Sequence, residues 1–226
     1  LNGAKISMNN KAYNTIVEYE GKEIVFNPYP INNATADSAK FDLRDYKVNG
    51  VSLAGTVKNQ GDNGVCWAFG ATGALESAFL MQTGMLLDIS ENNIQGAASR
   101  YGEFGDTRIT QAGYANSGMN LFLAWLSVLN TSYDSYDELG KIGLPGYAIK
   151  ESYHIQDVIL VPPRYQVDNQ KMLKEALVNY GGLTVHVLGD TVGNNYYNGQ
   201  THSLYCNSKE VYGNHFVTLV GWDDNY

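Results

Sequence analysis

Helical patterning precedes strand patterning along this chain, and that order limits the folds open to it. From Cys66 to about Gly84 the apolar residues fall at helical spacing, with Phe69, Gly73, Leu75, Phe79 and Leu80 expected on one stripe and Gly84 as the stop. Ser90 is expected to cap a second helix. Met119 to Asn130, with Leu121, Phe122, Trp125, Leu126 and Leu129, reads as a third and buried one. Lys171 to Tyr180 reads as an amphipathic helix starting near Asp168 or Asn169. Strands are expected at Val158–Val161, Leu183–Val187 and His215–Trp222. Helices grouped before strands fit an α+β architecture of two lobes, and a cleft between lobes is a favoured place for a ligand.

Residues 1–40 read differently. Ile16-Val17 and Ile24-Val25-Phe26 flank Gly21 as a β-hairpin would, and Pro28, Pro30 and the asparagines around them then break regular structure. We expect a β-rich extension or linker over 1–40 and one main domain over 41–226. At 226 residues the chain can bury a core without disulfides. A net charge of −8 disfavours a nucleic-acid partner, and no apolar run approaches the roughly 18 residues of a membrane span. With 23 Asn, 17 Tyr and only 17% charged residues, the surface is solvated by amides and hydroxyls, as on many extracellular and cell-surface proteins. No signal peptide is visible after Leu1.

The chemistry concentrates in Val57-Lys58-Asn59-Gln60-Gly61-Asp62-Asn63-Gly64-Val65-Cys66-Trp67-Ala68-Phe69. A cysteine at a helix N-terminus meets unpaired backbone N–H groups and the positive end of the helix dipole, which favour the thiolate nucleophile. Gln60 lies six residues upstream, and Gly61 and Gly64 let the loop fold back over the thiol. Its carboxamide and the Cys66 backbone N–H are expected to donate together to a developing oxyanion. His215, at the start of an apolar strand 149 residues downstream, is a candidate base.

These segments resemble the papain-like (C1) cysteine peptidases over about residues 41–226. Phe41-Asp42-Leu43-Arg44-Asp45 is similar to the family's mature start, and Lys58 to Phe69 is similar to its nucleophile motif. Ile89-Ser90-Glu91 resembles the start of its second helix, and Asn116-Ser117-Gly118-Met119 its glycine pair beside the substrate. Asn214 to Trp222 resembles its histidine strand. The Gly-Trp-Asp-Asp-Asn-Tyr ending resembles prokaryotic, surface-associated members.

The resemblance implies a two-lobe fold with a helical first lobe carrying the nucleophile helix and a β-rich second lobe. It implies a cysteine endopeptidase working as a thiolate–imidazolium pair without cofactor or metal. Cys66 is then the nucleophile, His215 the general base and acid, and Gln60 the oxyanion donor. Gly118, Met119, Asn214 and Phe216 would bind an extended polypeptide substrate, Gly118 through its backbone and Met119 and Phe216 in the pocket for the side chain two residues before the scissile bond.

Departures accompany the match. Asn63 stands where the family has a disulfide cysteine, so Cys206 has no family-type partner, and Val65 and Phe216 replace smaller residues. The family's Asn-Ser-Trp-Gly motif has no counterpart before Tyr226. A companion C-terminal fragment carrying that asparagine is the expectation drawn from this. His186 reads as structural or surface, while His154 and His202 have no assigned role. Asp223-Asp224, and Asp134, Asp137 and Glu138, read as solvated loop acids. The rival readings are a catalytically weak or inactive papain-like module that binds peptide at a surface, and another Cys-His acyl-transfer enzyme such as a transglutaminase or cell-wall amidase.

Overall fold

The computed structural model describes residues 6–8, 15–19, 22–25, 31, 34–99, 112–124, 127–138, 152–155, 157–162, 170–189, 196–206 and 213–226. The expected turn at Gly21, the core role of Trp125 and the helix start near Asp168 or Asn169 fall outside them. Strands β1 (Ile6–Met8), β2 (Thr15–Tyr19) and β3 (Lys22–Val25) form an antiparallel sheet of their own, with Ile16 opposite Val25 and Val17 opposite Ile24. The main body then opens with β4 (Lys40–Asp42) and the hairpin of β5 (Lys47–Val48) and β6 (Val51–Ser52). That hairpin turns on Asn49 and Gly50 at φ 51° and 83°, the positive φ pair that a two-residue loop matching strand twist requires.

Helix α1 (Cys66–Thr83) ends on Gly84 in the left-handed conformation (φ 70°), whose N–H caps the Leu80 carbonyl at 2.8 Å. Helix α2 (Glu91–Ala98) starts on Ser90, whose side chain accepts from the Asn93 N–H at 2.9 Å. Helix α3 (Ala115–Leu123) is followed by β7 (Val128–Leu129) and β8 (Ser152–Tyr153), which pair with each other. Helix α4 (Gln170–Tyr180) leads into β9 (Leu183–Val187). The short hairpin β10 (Tyr197–Asn198) and β11 (Ser203–Leu204) precedes β12 (His215–Leu219) and β13 (Gly221–Asp223).

Three expectations are corrected. The third helix stops at Leu123, and Leu129, fully buried as expected of a core residue, belongs to strand β7. Val128 is β-branched and finds a partner in Tyr153 across the β7–β8 ladder, which rewards extension over helix. Residues 158–161 form no strand: Ile159 and Leu160 are exposed, and Pro162, directly after the run, has no N–H with which to continue a ladder. The apolar run 215–222 is two strands rather than one. The Leu43 N–H takes the Val220 carbonyl at 2.8 Å, and from Gly221 the chain leaves β9 to pair with β4.

Helix α1 is buried on all sides rather than along one stripe. Its first turn joins an apolar cluster with Leu87, Ile94, Leu121, Phe122, Val128 and Phe216, while Leu80 and Met81 join a second with Phe41, Leu43, Leu53 and Leu177. Ala34 belongs to that second cluster and the Trp222 indole N–H donates to the Ser38 carbonyl, so packing begins before residue 41. Helix and β-sheet meet through glycine. A methyl at Gly70 would lie 3.2 Å from both the Phe216 Cβ and the Thr184 Cγ2, and one at Gly73 would lie 2.5 Å from the Thr218 Oγ1. No helix among the described residues is long and apolar enough to cross a membrane.

Candidate active site

The pairing of Gly70 with Phe216 and of Gly73 with Thr218 fixes how α1 lies on β12: both run in the same sense, starts together. Cys66, one turn before Gly70, and His215, one residue before Phe216, are therefore at the same end of this interface. Cys66 opens α1, is 8% exposed and shares its apolar cluster with Trp67 and Phe216. Cys66 and Cys206 are both free thiols. Val65 provides no side-chain cap, and among the described residues the Cys66 N–H makes no hydrogen bond, as befits the first residue of a helix.

Gln60 is folded into its own loop. Its Nε2 donates to the Asn63 carbonyl at 2.8 Å, which also accepts the Val65 N–H at 2.9 Å. A carboxamide carries two N–H donors, so one fixes the plane of the group and the other remains for a ligand. The Gln60 carbonyl in turn accepts the Tyr136 hydroxyl at 2.6 Å.

His215 is held from two sides. It stands opposite Val187 in the β9–β12 ladder, and Gly189 lies flat against its ring: a methyl there would sit 2.7 Å from the imidazole Cγ. The Gly189 N–H donates to the Asn214 Oδ1 at 2.7 Å. Among the described residues no side chain hydrogen-bonds the His215 ring. Asn214 is exposed, with its side-chain oxygen engaged in holding that turn. Phe216 is buried and stacked on His186, with ring centroids 4.4 Å apart at 13°. His186, read from the sequence as structural or surface, thus lies beside the cluster that contains Cys66.

Gly118 sits within α3, buried, where a methyl would meet the Ala71 Cβ at 2.7 Å. It permits close packing of α3 on α1. Met119, next to it, is half-buried.

The sequence reading passed over two groups. Lys58 anchors an ion network, with its Nζ 2.6 Å from buried Glu76, 2.7 Å from buried Glu91 and 2.8 Å from half-exposed Asp88, and it donates to the Ile89 carbonyl at 3.1 Å. Burial opposes the Lys58 charge, but the surrounding carboxylates hold its pKa well above the ordinary lysine value. Burial pushes Glu76 up to about 7 against the pull of Lys58. The second group is Tyr136 with Glu138. The Glu138 carboxylate accepts the Asp62 N–H at 3.1 Å and its carbonyl accepts the Asn63 side-chain amide, so Glu138 is not the free loop acid the sequence implied. Asp134 also has partners, accepting from Asn92 at 2.7 Å. A cavity of about 380 Å³, bordered by Lys58, Asn59, Phe69, Asp88 and Tyr136, lies beside this loop; neither Cys66 nor His215 lines it.

Comparison with known proteins places this arrangement. Residues 38–226 match the papain family of cysteine proteases. Mouse cathepsin K is 30% identical over 186 residues, covering 80% of this chain and 51% of its own length. The chain thus spans about half the length of that curated relative. Among solved structures, digestive procathepsin L 3 of Tenebrio molitor has a TM-score of 0.56 at 25% identity, covering 88% of this chain and 59% of its own. The cysteine protease and lectin-like domains of Cwp84, a surface layer associated protein of Clostridium difficile, have a TM-score of 0.65 at 18% identity, covering 90% of this chain and 42% of theirs, a likeness of fold. The order of motifs, the helix that Cys66 opens beside the strand that His215 begins, and these matches agree: the chain belongs to the papain family of cysteine proteases.

Proposed function

We propose that the chain carries a cysteine endopeptidase site in which Cys66 is the nucleophile and His215 the general base and acid. The observation that carries this reading is the side-by-side run of α1 and β12, which brings the residues that open them to one end of the interface. The Cys66 sulfur adds to the carbonyl carbon of a substrate peptide, and the carbonyl electrons move onto oxygen. That oxyanion is met by the free Gln60 N–H and the Cys66 backbone N–H. His215 gives its proton to the leaving amine as the C–N bond breaks, leaving an acyl-enzyme. His215 then takes a proton from water, which attacks the thioester and releases the second product.

The substrate is an extended polypeptide, with Met119, Asn214 and Phe216 nearest its path. Gly118 contributes close packing of the helix beneath. The partner that turns the His215 ring is the asparagine that the family resemblance implies, carried on a companion C-terminal fragment. The site works outside the cell or at its surface, a reading supported by the amide-rich composition and the fold shared with Cwp84.

Treatment with iodoacetamide or an epoxide probe at neutral pH, with mass spectrometry of the adduct, tests the reading. Prompt modification at Cys66, together with loss of peptide hydrolysis in Cys66→Ala at unchanged folding, is the expected result. Failure of Cys66 to react, with no hydrolysis by the unmodified protein, would overturn it in favour of a peptide-binding module.

A further inference from the structure

The Gln60 loop is held from outside by a segment 76 residues further along the chain. The Tyr136 hydroxyl donates to the Gln60 carbonyl at 2.6 Å. The Asp62 N–H donates to the Glu138 Oε2 at 3.1 Å, and the Asn63 side-chain amide donates to the Glu138 carbonyl. The Glu138 carboxylate occupies the space where a side chain at position 61 would begin, so only the glycine found there, at φ 63°, leaves room for it. Tyr136 is itself seated on the nucleophile helix, its ring edge-on to Phe69 at 4.9 Å and 85°. Every residue from 60 to 63 is thus tied to Tyr136 or Glu138, or packed beneath one of them.

We propose that Tyr136 and Glu138 are positioning residues for the oxyanion site: they clamp the 60–63 loop by hydrogen bonds where the family resemblance implies a covalent tie at position 63. The clamp acts through Gln60. Its backbone carbonyl is fixed by Tyr136, and the Asn63 carbonyl that orients its carboxamide belongs to a residue fixed by Glu138. Burial pushes the Tyr136 phenol up, so it remains a neutral donor through the neutral range. The proposal rests on the peptidase reading above.

The test is a double-mutant cycle on the full chain with a fluorogenic peptide substrate, comparing the unmodified protein, Tyr136→Phe, Gln60→Ala and the double variant. Removing one neutral hydrogen bond is expected to lower kcat about three- to tenfold with KM nearly unchanged, because the oxyanion contact exists only in the transition state. In the Gln60→Ala background the same change is expected to do nothing further, since the group it positions is gone. An equal fall in both backgrounds, or none with Gln60 present, overturns the proposal.

Glu138→Ala should behave as Tyr136→Phe does, and Glu138→Gln, which keeps an acceptor for the Asp62 N–H, should recover most of the loss. Hydrogen exchange separates this proposal from the one beneath it. Faster exchange of the Asp62 amide in Glu138→Ala supports the clamp even if no hydrolysis is found, and unchanged exchange sinks it whatever the activity. Absence of hydrolysis by the unmodified protein counts against the peptidase reading alone.

Discussion

The absence of a side chain at position 189 leaves room for the His215 ring. Any larger substituent there would press on the imidazole, 2.7 Å from its Cγ and 2.9 Å from its Cδ2, and would disturb the N–H that Asn214 accepts. Gly189→Ala is therefore expected to lower kcat/KM by about 10- to 100-fold, the scale of misplacing a reacting group by roughly an ångström. Thermal unfolding should shift little, because the site is at a sheet end and not in the core. Activity within twofold of the unmodified protein would show that the ring does not depend on this contact. The places of Cys66 and His215 in the fold were readable from sequence because each opens a strongly patterned element. Gly189 was not, since what makes it necessary is the ring across from it. The packing of Gly118 on Ala71 was not legible for a related reason: a glycine that lets two helices touch and one that lets a substrate approach look alike in one dimension.

The ion network ties the loop before α1 to two helices. Lys58 comes from the loop, Glu76 from the third turn of α1, and Glu91 from the first residue of α2, where Glu91 also accepts the Thr72 hydroxyl at 2.7 Å. Glu76 accepts the Ile89 N–H at 2.6 Å as well, so its carboxyl is pinned in place. Its pKa is about 7 in the folded protein, above the 4.5 expected of an unfolded chain. The folded state then holds more protons than the unfolded state between those values, and stability falls as pH rises through that window. The span corresponds to a loss on the order of 3 kcal/mol between pH 4.5 and 7.5. Urea unfolding at those two pH values should show it, and Glu76→Gln should flatten the slope. A slope unchanged in that variant would place the titration elsewhere. Sequence periodicity could not find this network. A glutamate inside a helix reads as surface unless tertiary packing closes over it, and α1 is covered on all sides. The start of α2 was legible from its Ser90 cap, and the body of α4 through Tyr180 from its amphipathic pattern.

Helix α1 joins the two apolar clusters of the main body, and its buried polar groups decide how the neighbouring segments dock on it. Ser77, fully buried, donates its hydroxyl to the Leu53 carbonyl at 2.5 Å and accepts the Gly182 N–H at 2.7 Å. One oxygen thus connects helix α1, the segment after β6 and the entry to β9. Gly181 and Gly182 make room for it, since a methyl on either would lie within 2.8 Å of the Ser77 Oγ or the Thr218 Cγ2. The same serine therefore helps set how β9, and through it β12 and His215, sits on the helix that Cys66 begins. Ser77→Ala would strip partners from two buried backbone groups at once. It is expected to cost about 2–4 kcal/mol, read as a lower urea midpoint at unchanged m-value. A register shift of β9 against α1 would also move His215 relative to Cys66. The variant should therefore lose peptide hydrolysis even at low temperature, where it remains folded. Full activity in folded Ser77→Ala would mean that the glycine contacts of α1 with β12, at Gly70 and Gly73, hold these two elements in register without help from this hydroxyl.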